Sequence, residues 1–473
     1  MNNLTKIRNV LLWLAPVLSG AFSCLLFQSA HLPLAAAITA AVALWCALWW
    51  VFEVVPMAVT ALIPMAVFPL LGVLTPSQTA GAYGHSLVLL MLGGFLLSKG
   101  MESTNAHRQI AVRLLKIFGT HSQTRLVLGF MLTSALLSMW ISNTATTLML
   151  LPVAIALLPK QEGDGMGASG SADNRLWVSL FLGIAYAASI GGMATPIGTP
   201  PNLIFMQVYE EELEGSVDFV QWMSWALPVV IVLLPLAAFI LTRGLAGKAV
   251  STASLQLMPW QMDQRRMMGI FLIVALCWIT RKAPFGGWSA WLNIPTANDA
   301  SVALLGAVAL FSCSNGRGHR LLTWQQARTI PWDVLLLFGG GIALAKAFVS
   351  SGLNDVLGNA LAETAVLPLW LLLGMLCLAV TFLTEITSNM ATASLLLPLL
   401  AALALVIGVD PRVLMVPATL SVSCAFMMPV ATAPNSIVFG THKVPIQQMV
   451  KLGLRMNLVG TLVISVLCYL RFV

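Results

Sequence analysis

Trp140-Ile-Ser-Asn-Thr-Ala-Thr-Thr147 and Ile386-Thr-Ser-Asn-Met-Ala-Thr-Ala393 are two copies of one motif, set far apart in the chain. Each copy has a second shared element downstream, Thr195-Pro-Ile-Gly-Thr-Pro-Pro-Asn202 in the first half and Met428-Pro-Val-Ala-Thr-Ala-Pro-Asn435 in the second. Ser142-Asn143 pairs with Ser388-Asn389, Pro152 with Pro398, and Pro196, Thr199, Pro201 and Asn202 with Pro429, Thr432, Pro434 and Asn435. Upstream, Gly93-Gly94 through Lys99 resembles Gly340-Gly341 through Lys346. These matches run in the same order in both halves, which marks an internal duplication.

The flanks decide what the motif is. Ser142-Asn143-Thr144 lies between apolar arms at roughly 125–141 and 145–158, and Leu367–Glu385 and Ala391–Val406 flank the second copy. Arms of about 15 residues fall short of the roughly 20 needed to cross a bilayer. Each pair therefore predicts a re-entrant helical hairpin with Ser-Asn at its tip. The Thr-Pro-x-x-Thr-Pro-Pro-Asn tracts predict broken helices, because Pro200 and Pro201 remove backbone donors and obstruct the preceding turn. Irregular backbone at membrane depth is tolerated only where it lines a cavity or is buried in protein.

Composition agrees. Of 473 residues 59% are hydrophobic and 9% charged, against roughly 25% charged in a soluble domain. Apolar runs recur at Val10–Phe27, Pro33–Phe52, Trp225–Leu241, around Met267–Ile279 and at Leu454–Leu470. The fold class is an all-α polytopic membrane protein, with about eleven transmembrane helices plus the two hairpins. The first apolar run follows Lys6 and Arg8, as a signal peptide would, but it is long and more spans follow at once, so it reads as a retained helix. The seven cysteines show no ligand spacing and read as small packing residues, and the six histidines form no metal pair. Trp45, Trp49 and Trp50 read as interface anchors.

Charge orients the copies. Basic clusters lie at Lys6/Arg8, Arg108–Arg125, Arg243–Arg266, Arg317–Arg328 and Lys443–Arg455, and one acidic cluster at Glu210, Glu211, Glu212 and Glu214. Placing basic residues inside puts the N-terminus in the cytoplasm, the Glu cluster outside, and the C-terminus outside despite Arg471. After the Gly-Gly span the first copy is basic (Arg108, Arg113, Lys116), whereas Asn354–Glu363 of the second carries no Lys or Arg. Opposite sides for equivalent segments predict an inverted repeat. Gln161–Asn174, polar and Gly-rich, reads as a cytoplasmic loop.

Hydroxyls, amides and unwound carbonyls suit a hard monovalent cation, and half-helix N-termini suit an anion. No Asp, His, Lys or Arg lies in the four motifs, and only Glu385 is adjacent. An anion held there meets neutral donors, helix dipoles and co-bound cations, so its binding depends on the cation. Ser, Thr and Asn in membrane helices often only bond neighbouring helices; two copies, each with its own break, weigh against that. Lys99, Glu102, Lys346 and Glu385 fit either a structural or a functional role.

At these motifs the sequence resembles the divalent anion:sodium symporter family over most of the chain. The resemblance implies a homodimer in the inner membrane, with a scaffold and an elevator-type transport domain. It divides the chain into scaffold helices at 1–83, a first-repeat scaffold span and cytoplasmic interfacial helix at 84–124, and a transport subdomain at 125–210. Connecting scaffold helices follow at 211–330, a second scaffold span and outer interfacial helix at 331–365, a second transport subdomain at 366–445, and a last helix at 446–473. It places one Na⁺ at Ser138, Ser142, Asn143 and the Gly198 backbone, and another at Thr384, Thr387, Asn389 and the Ala431 backbone. Substrate carboxylates would meet Asn143, Thr144, Thr199, Asn389 and Thr432, with Met390 and Pro434 beside them.

The implied activity is Na⁺-coupled uptake of a small divalent anion, foremost a C4-dicarboxylate such as succinate. Met390 stands where carboxylate carriers of the family often have Thr, which leaves sulfate, another oxyanion or citrate open, as it does a Na⁺-independent dicarboxylate exchanger. A membrane-embedded enzyme would need a nucleophile with a base, or paired titratable groups, at membrane depth; the Asp residues fall in or near loops and span ends. A passive channel fits inverted repeats and broken helices less well than alternating access does.

Overall fold

The protein is described here by a computed structural model. It covers residues 3–29, 32–118, 122–157, 172–213, 215–245, 259–282, 286–353, 356 and 368–473. Most of the expected loop at Gln161–Asn174, and most of the expected outer interfacial segment at 354–365, lie outside the described residues. All regular elements among the described residues are helical. Eight helices there are long and apolar enough to cross a membrane by length and composition, and five shorter apolar helices accompany them.

The shorter ones include hairpin arms and half-helices. Gln123–Ser138 and Asn143–Leu157 form the first hairpin, joined by a turn at 139–142; Leu369–Thr384 and Asn389–Val406 form the second. The broken helices are Ala172–Gly192 with Pro200–Leu213, and Arg412–Val422 with Ala433–Phe439. Each stops where the repeated Pro tract begins. Asn202 Nδ2 then donates to the carbonyls of Gly192 (3.0 Å) and Thr195 (2.7 Å), holding the first break. Asn435 Nδ2 does the same for Ala425 (3.0 Å) and Met428 (3.1 Å). A buried amide replaces the helical bonds that proline forfeits.

The halves interlock across the middle. Pro200–Leu213 packs along Asn389–Val406, and reciprocally Ala433–Phe439 packs along Asn143–Leu157. Tyr186, fully buried, donates its hydroxyl to the Phe426 carbonyl at 2.8 Å. Phe219–Thr242 and Ile446–Phe472 close the unit, packing on each other and on the first and second sets of hairpin and broken helices respectively.

Around this unit stand Ser86–Ser103 and Trp332–Ser351, the Gly-Gly helices. A Cβ at Gly93 would fall 2.4 Å from Ala303 Cβ, and one at Gly340 2.8 Å from Ala61 Cβ. The glycines let Asp299–Ser312 and the Met57–Leu70 region approach closely. A further correspondence lies upstream: Thr75 with Gln78 and Thr323 with Gln326 form equivalent capping boxes, each satisfying first-turn donors.

Two contacts fix which helix ends lie together. Ser103 Oγ donates to the Leu321 carbonyl at 3.2 Å, and Arg8 pairs with Glu53 at 3.1 Å. Phe52, Glu53, Ser98 and Pro331 also line one shared cavity, so the ends at Glu53, Ser103 and Trp332 belong to one face, the basic end, with Arg8, Arg108 and Arg317 near it. One expectation fails. Trp50 is not an interface anchor: it is fully buried and donates Nε1–H to the Met57 carbonyl at 3.3 Å. The kink at Pro56 turns the chain back over the indole, which a sequence pattern of clustered Trp does not reveal.

Candidate functional site

Both hairpin tips and both breaks meet at one cavity of about 1040 Å³. Ser142, Asn143, Thr144, Gly198 and Thr199 line it from the first half, and Thr387, Asn389, Met390, Ala431, Thr432 and Pro434 from the second. Ser138 and Thr384, the two remaining residues expected in the site, do not line the cavity. They sit directly behind it, fully buried. Thus the residues that the resemblance assigns to substrate and Na⁺ all lie at or directly behind this one cavity.

The two halves reproduce one local geometry. Ser138 Oγ donates to Asn143 Oδ1, and Thr384 Oγ1 donates to Asn389 Oδ1 at 2.7 Å. Each pair sets a hydroxyl oxygen against an amide oxygen at the foot of a hairpin tip. The hydroxyl can rotate to present its lone pairs, so both oxygens are available to a hard monovalent cation. Room for Asn143 comes from Gly192, where a Cβ would lie 2.6 Å from Asn143 Oδ1. Gly198 is likewise required, since its Cβ would fall 2.4 Å from the Gly192 carbonyl oxygen. Thr195 Oγ1 binds the tip to the break by donating to the Met139 carbonyl at 2.5 Å and accepting from Gly198 N at 3.1 Å.

Four helices begin at the cavity wall, at Asn143, Pro200, Asn389 and Ala433. Their N-terminal peptide dipoles put partial positive charge around the space. Among the described residues, the only charged ones lining it are Arg8 and Glu53, paired with each other at the rim. An anion placed in the centre would meet helix dipoles and neutral donors. Met390 lines the wall and offers no hydroxyl there.

Glu385 has a role that the sequence only hinted at. It is buried (3% exposed) and accepts from the backbone N–H of Phe426 (2.7 Å), Met427 (2.8 Å) and Met428 (2.9 Å), and from Asn457 Nδ2 (2.7 Å). All four partners are donors, so the carboxylate takes the place of the carbonyls that the broken helix lost. Asn457, 72 residues away on the last helix, carries no motif that would flag it. Gly192 was equally silent, one glycine among 36.

The cavity faces the basic end. Val334, near the start of Trp332–Ser351, lines it, as do Met91 to Ser98 of Ser86–Ser103, together with Phe52, Glu53 and Thr329. His85 and Lys346, at the other end of these helices, do not.

A multi-pass helical bundle that brings two re-entrant tips and two broken helices to one cavity, charged only at its rim among the described residues, is a membrane transporter, not an enzyme. The chain matches the family described as sodium:sulfate symporter transmembrane region over residues 8–472 and belongs to it. It is 37% identical to the sodium-dependent dicarboxylate transporter SdcS of Staphylococcus saprophyticus, over 94% of this chain and 88% of that protein. The SdcS of Staphylococcus aureus is 35% identical with the same coverage. Among solved structures, the YdaH transporter of Alcanivorax borkumensis is similar in fold, with TM-score 0.58, 15% identity, and 85% and 89% of the two chains covered. The Neisseria gonorrhoeae MtrF structure has TM-score 0.54 at 14% identity, with 85% and 83% covered.

Proposed function

We propose that the protein couples inward Na⁺ flux to uptake of a C4-dicarboxylate such as succinate across a bacterial inner membrane, by elevator-type alternating access. The observation that carries this is the doubled Ser/Thr–Asn oxygen pair beneath two hairpin tips, beside a cavity ringed by four helix N-termini. One Na⁺ is held by Ser138, Ser142, Asn143 and the Gly198 carbonyl, the other by Thr384, Thr387, Asn389 and the Ala431 carbonyl. The carboxylates lie between them against Asn143, Thr144, Thr199, Asn389 and Thr432, with Met390 and Pro434 as walls.

Coupling follows from electrostatics. A dianion among neutral groups in a low-dielectric site is costly alone, and two adjacent cations remove most of that cost. Neither ligand is held well without the other, so empty and fully loaded sites cross while half-loaded ones do not. The moving part is the unit of hairpins and broken helices; the Gly-Gly helices and their neighbours are the scaffold, and a homodimer would hold the scaffolds still. With basic residues on the cytoplasmic side, the cavity is open inward, the N-terminus lies inside and the C-terminus outside.

Met390 supports a second reading, an oxyanion such as sulfate or the tricarboxylate citrate, in agreement with the family's own description. The names of the two staphylococcal relatives favour dicarboxylate. Competition of succinate, citrate and sulfate against labelled succinate in Na⁺-loaded assays separates these. Asn143→Ala and Asn389→Ala are expected to abolish uptake with a normal elution profile; normal uptake by both would remove the site assignment.

A further inference from the structure

At the end opposite the cavity mouth, Glu211 sits between two residues of the surrounding helices. Its Oε1 is 3.2 Å from Lys346 Nζ and 3.5 Å from His85 Nε2. Glu211 is near the end of the half-helix Pro200–Leu213, whereas Lys346 lies on Trp332–Ser351 and His85 caps Ser86–Ser103. His85 Nδ1 accepts from Leu87 N at 3.4 Å, which leaves the proton on Nε2, directed at Glu211. A neutral imidazole therefore suffices. The Glu211 side chain is 15% exposed and that of Lys346 26%, so the pair is better shielded than an exposed surface bridge.

The repeat shows that this arrangement is one-sided. Lys346 corresponds to Lys99, by the same spacing from the Gly-Gly pairs. Glu211, counted from Asn202, corresponds to Val444, counted from Asn435, with His442 and Lys443 beside it. Lys99 pairs with Glu102 of its own helix at 2.7 Å. Beside Lys99, Phe95 and Ser98 face the cavity, as do Ala433 and Pro434 of the corresponding half-helix. If the central unit moved to the opposite position, inverted symmetry would bring Lys99 toward Val444 and offer it no carboxylate.

We propose that Glu211, with Lys346 and His85, is a one-sided latch between transport domain and scaffold that holds the carrier with its cavity open at the basic end. It rests on the moving-domain reading given above. Opening the other way must break this contact and regains no equivalent one, so the latch biases the resting population and slows the return of the empty carrier.

The test is pulsed electron–electron distance measurement in nanodiscs, with spin labels at His319→Cys and Gln447→Cys in a background lacking the native cysteines. The wild-type background is expected to give two distances whose ratio responds to Na⁺ plus succinate. Glu211→Gln and Lys346→Met should each move that ratio about tenfold away from the cavity-open form. The exchange Glu211→Lys with Lys346→Glu should restore most of it. Two wild-type distances with a ratio unchanged in both single variants would overturn the latch and leave the moving domain standing. A single distance under every condition would overturn both.

Discussion

Glu385→Gln tests whether the second break is held by a charge. In the native protein three donors, Phe426 N, Met427 N and Asn457 Nδ2, converge on Oε1, and Met428 N meets Oε2. A glutamine in the same rotamer keeps an oxygen for the first three but sets an NH₂ against the Met428 N–H. Hydrogen bonds to charged groups contribute about 1.5–3 kcal/mol against roughly 0.5–1.5 for neutral ones, and a buried orphaned donor costs about 1–3 kcal/mol. Weakening three bonds by about 0.5–1 each and orphaning one comes to roughly 2.5–6 kcal/mol. Relief from burying a carboxylate offsets part of this, leaving about 2–4 kcal/mol.

Residues 426–428 lead straight into Ala431 and Thr432, so the loss reaches the cavity. The variant should melt several degrees lower in detergent, and its Na⁺-driven uptake should fall at least about tenfold, which corresponds to about 1.4 kcal/mol. Asn457→Leu, removing one donor of the four, should show a milder version of both effects. Wild-type melting and uptake in Glu385→Gln would refute the reasoning, because a neutral side chain would then serve as well as the charge.

Gly192→Ala should leave the fold intact, since the new methyl meets only the end of a side chain, Asn143 Oδ1 at 2.6 Å. Displacing that oxygen should raise the Na⁺ concentration for half-maximal uptake about tenfold or more; an unchanged Na⁺ titration would place the cation elsewhere. Ser138→Ala removes one hydroxyl from the first pair and should weaken Na⁺ dependence while sparing the melting temperature, and an unaltered Na⁺ response would argue against that pocket. Met390→Thr should raise the preference for succinate over sulfate in competition assays. An identical inhibition profile would make Met390 a bystander.

The parts of this architecture that were readable from sequence are those with a periodic or stereochemical signature. Arms of about 15 residues are too short to cross, and that alone announces the hairpins around Asn143 and Asn389. Pro200 and Pro201 break a helix wherever it lies. Their repetition turned weak single signals into one strong one. What stayed hidden depends on long-range packing. Nothing local connects Asn457 to Glu385, or distinguishes Gly192 from the other glycines until Asn143 is seen against it. Trp50 looked like an interface residue because its neighbours are Trp as well, and only the fold of the chain over it at Pro56 shows otherwise. The capping boxes at Thr75 and Thr323 went unread, because so short a pattern as Thr-x-x-Gln gains meaning only from its place in the repeat.

The central claim is that a divalent carboxylate and Na⁺ share this cavity and cross together. Its most direct measurement is uptake of radiolabelled succinate into proteoliposomes under an inward Na⁺ gradient, against an equal K⁺ gradient, for wild-type protein and for Asn143→Ala. The account predicts accumulation with Na⁺ in the wild type, none with K⁺, and none with the variant in either salt. Equal uptake in Na⁺ and K⁺ would contradict it, and uptake only into succinate-loaded vesicles would contradict it and make the protein an exchanger.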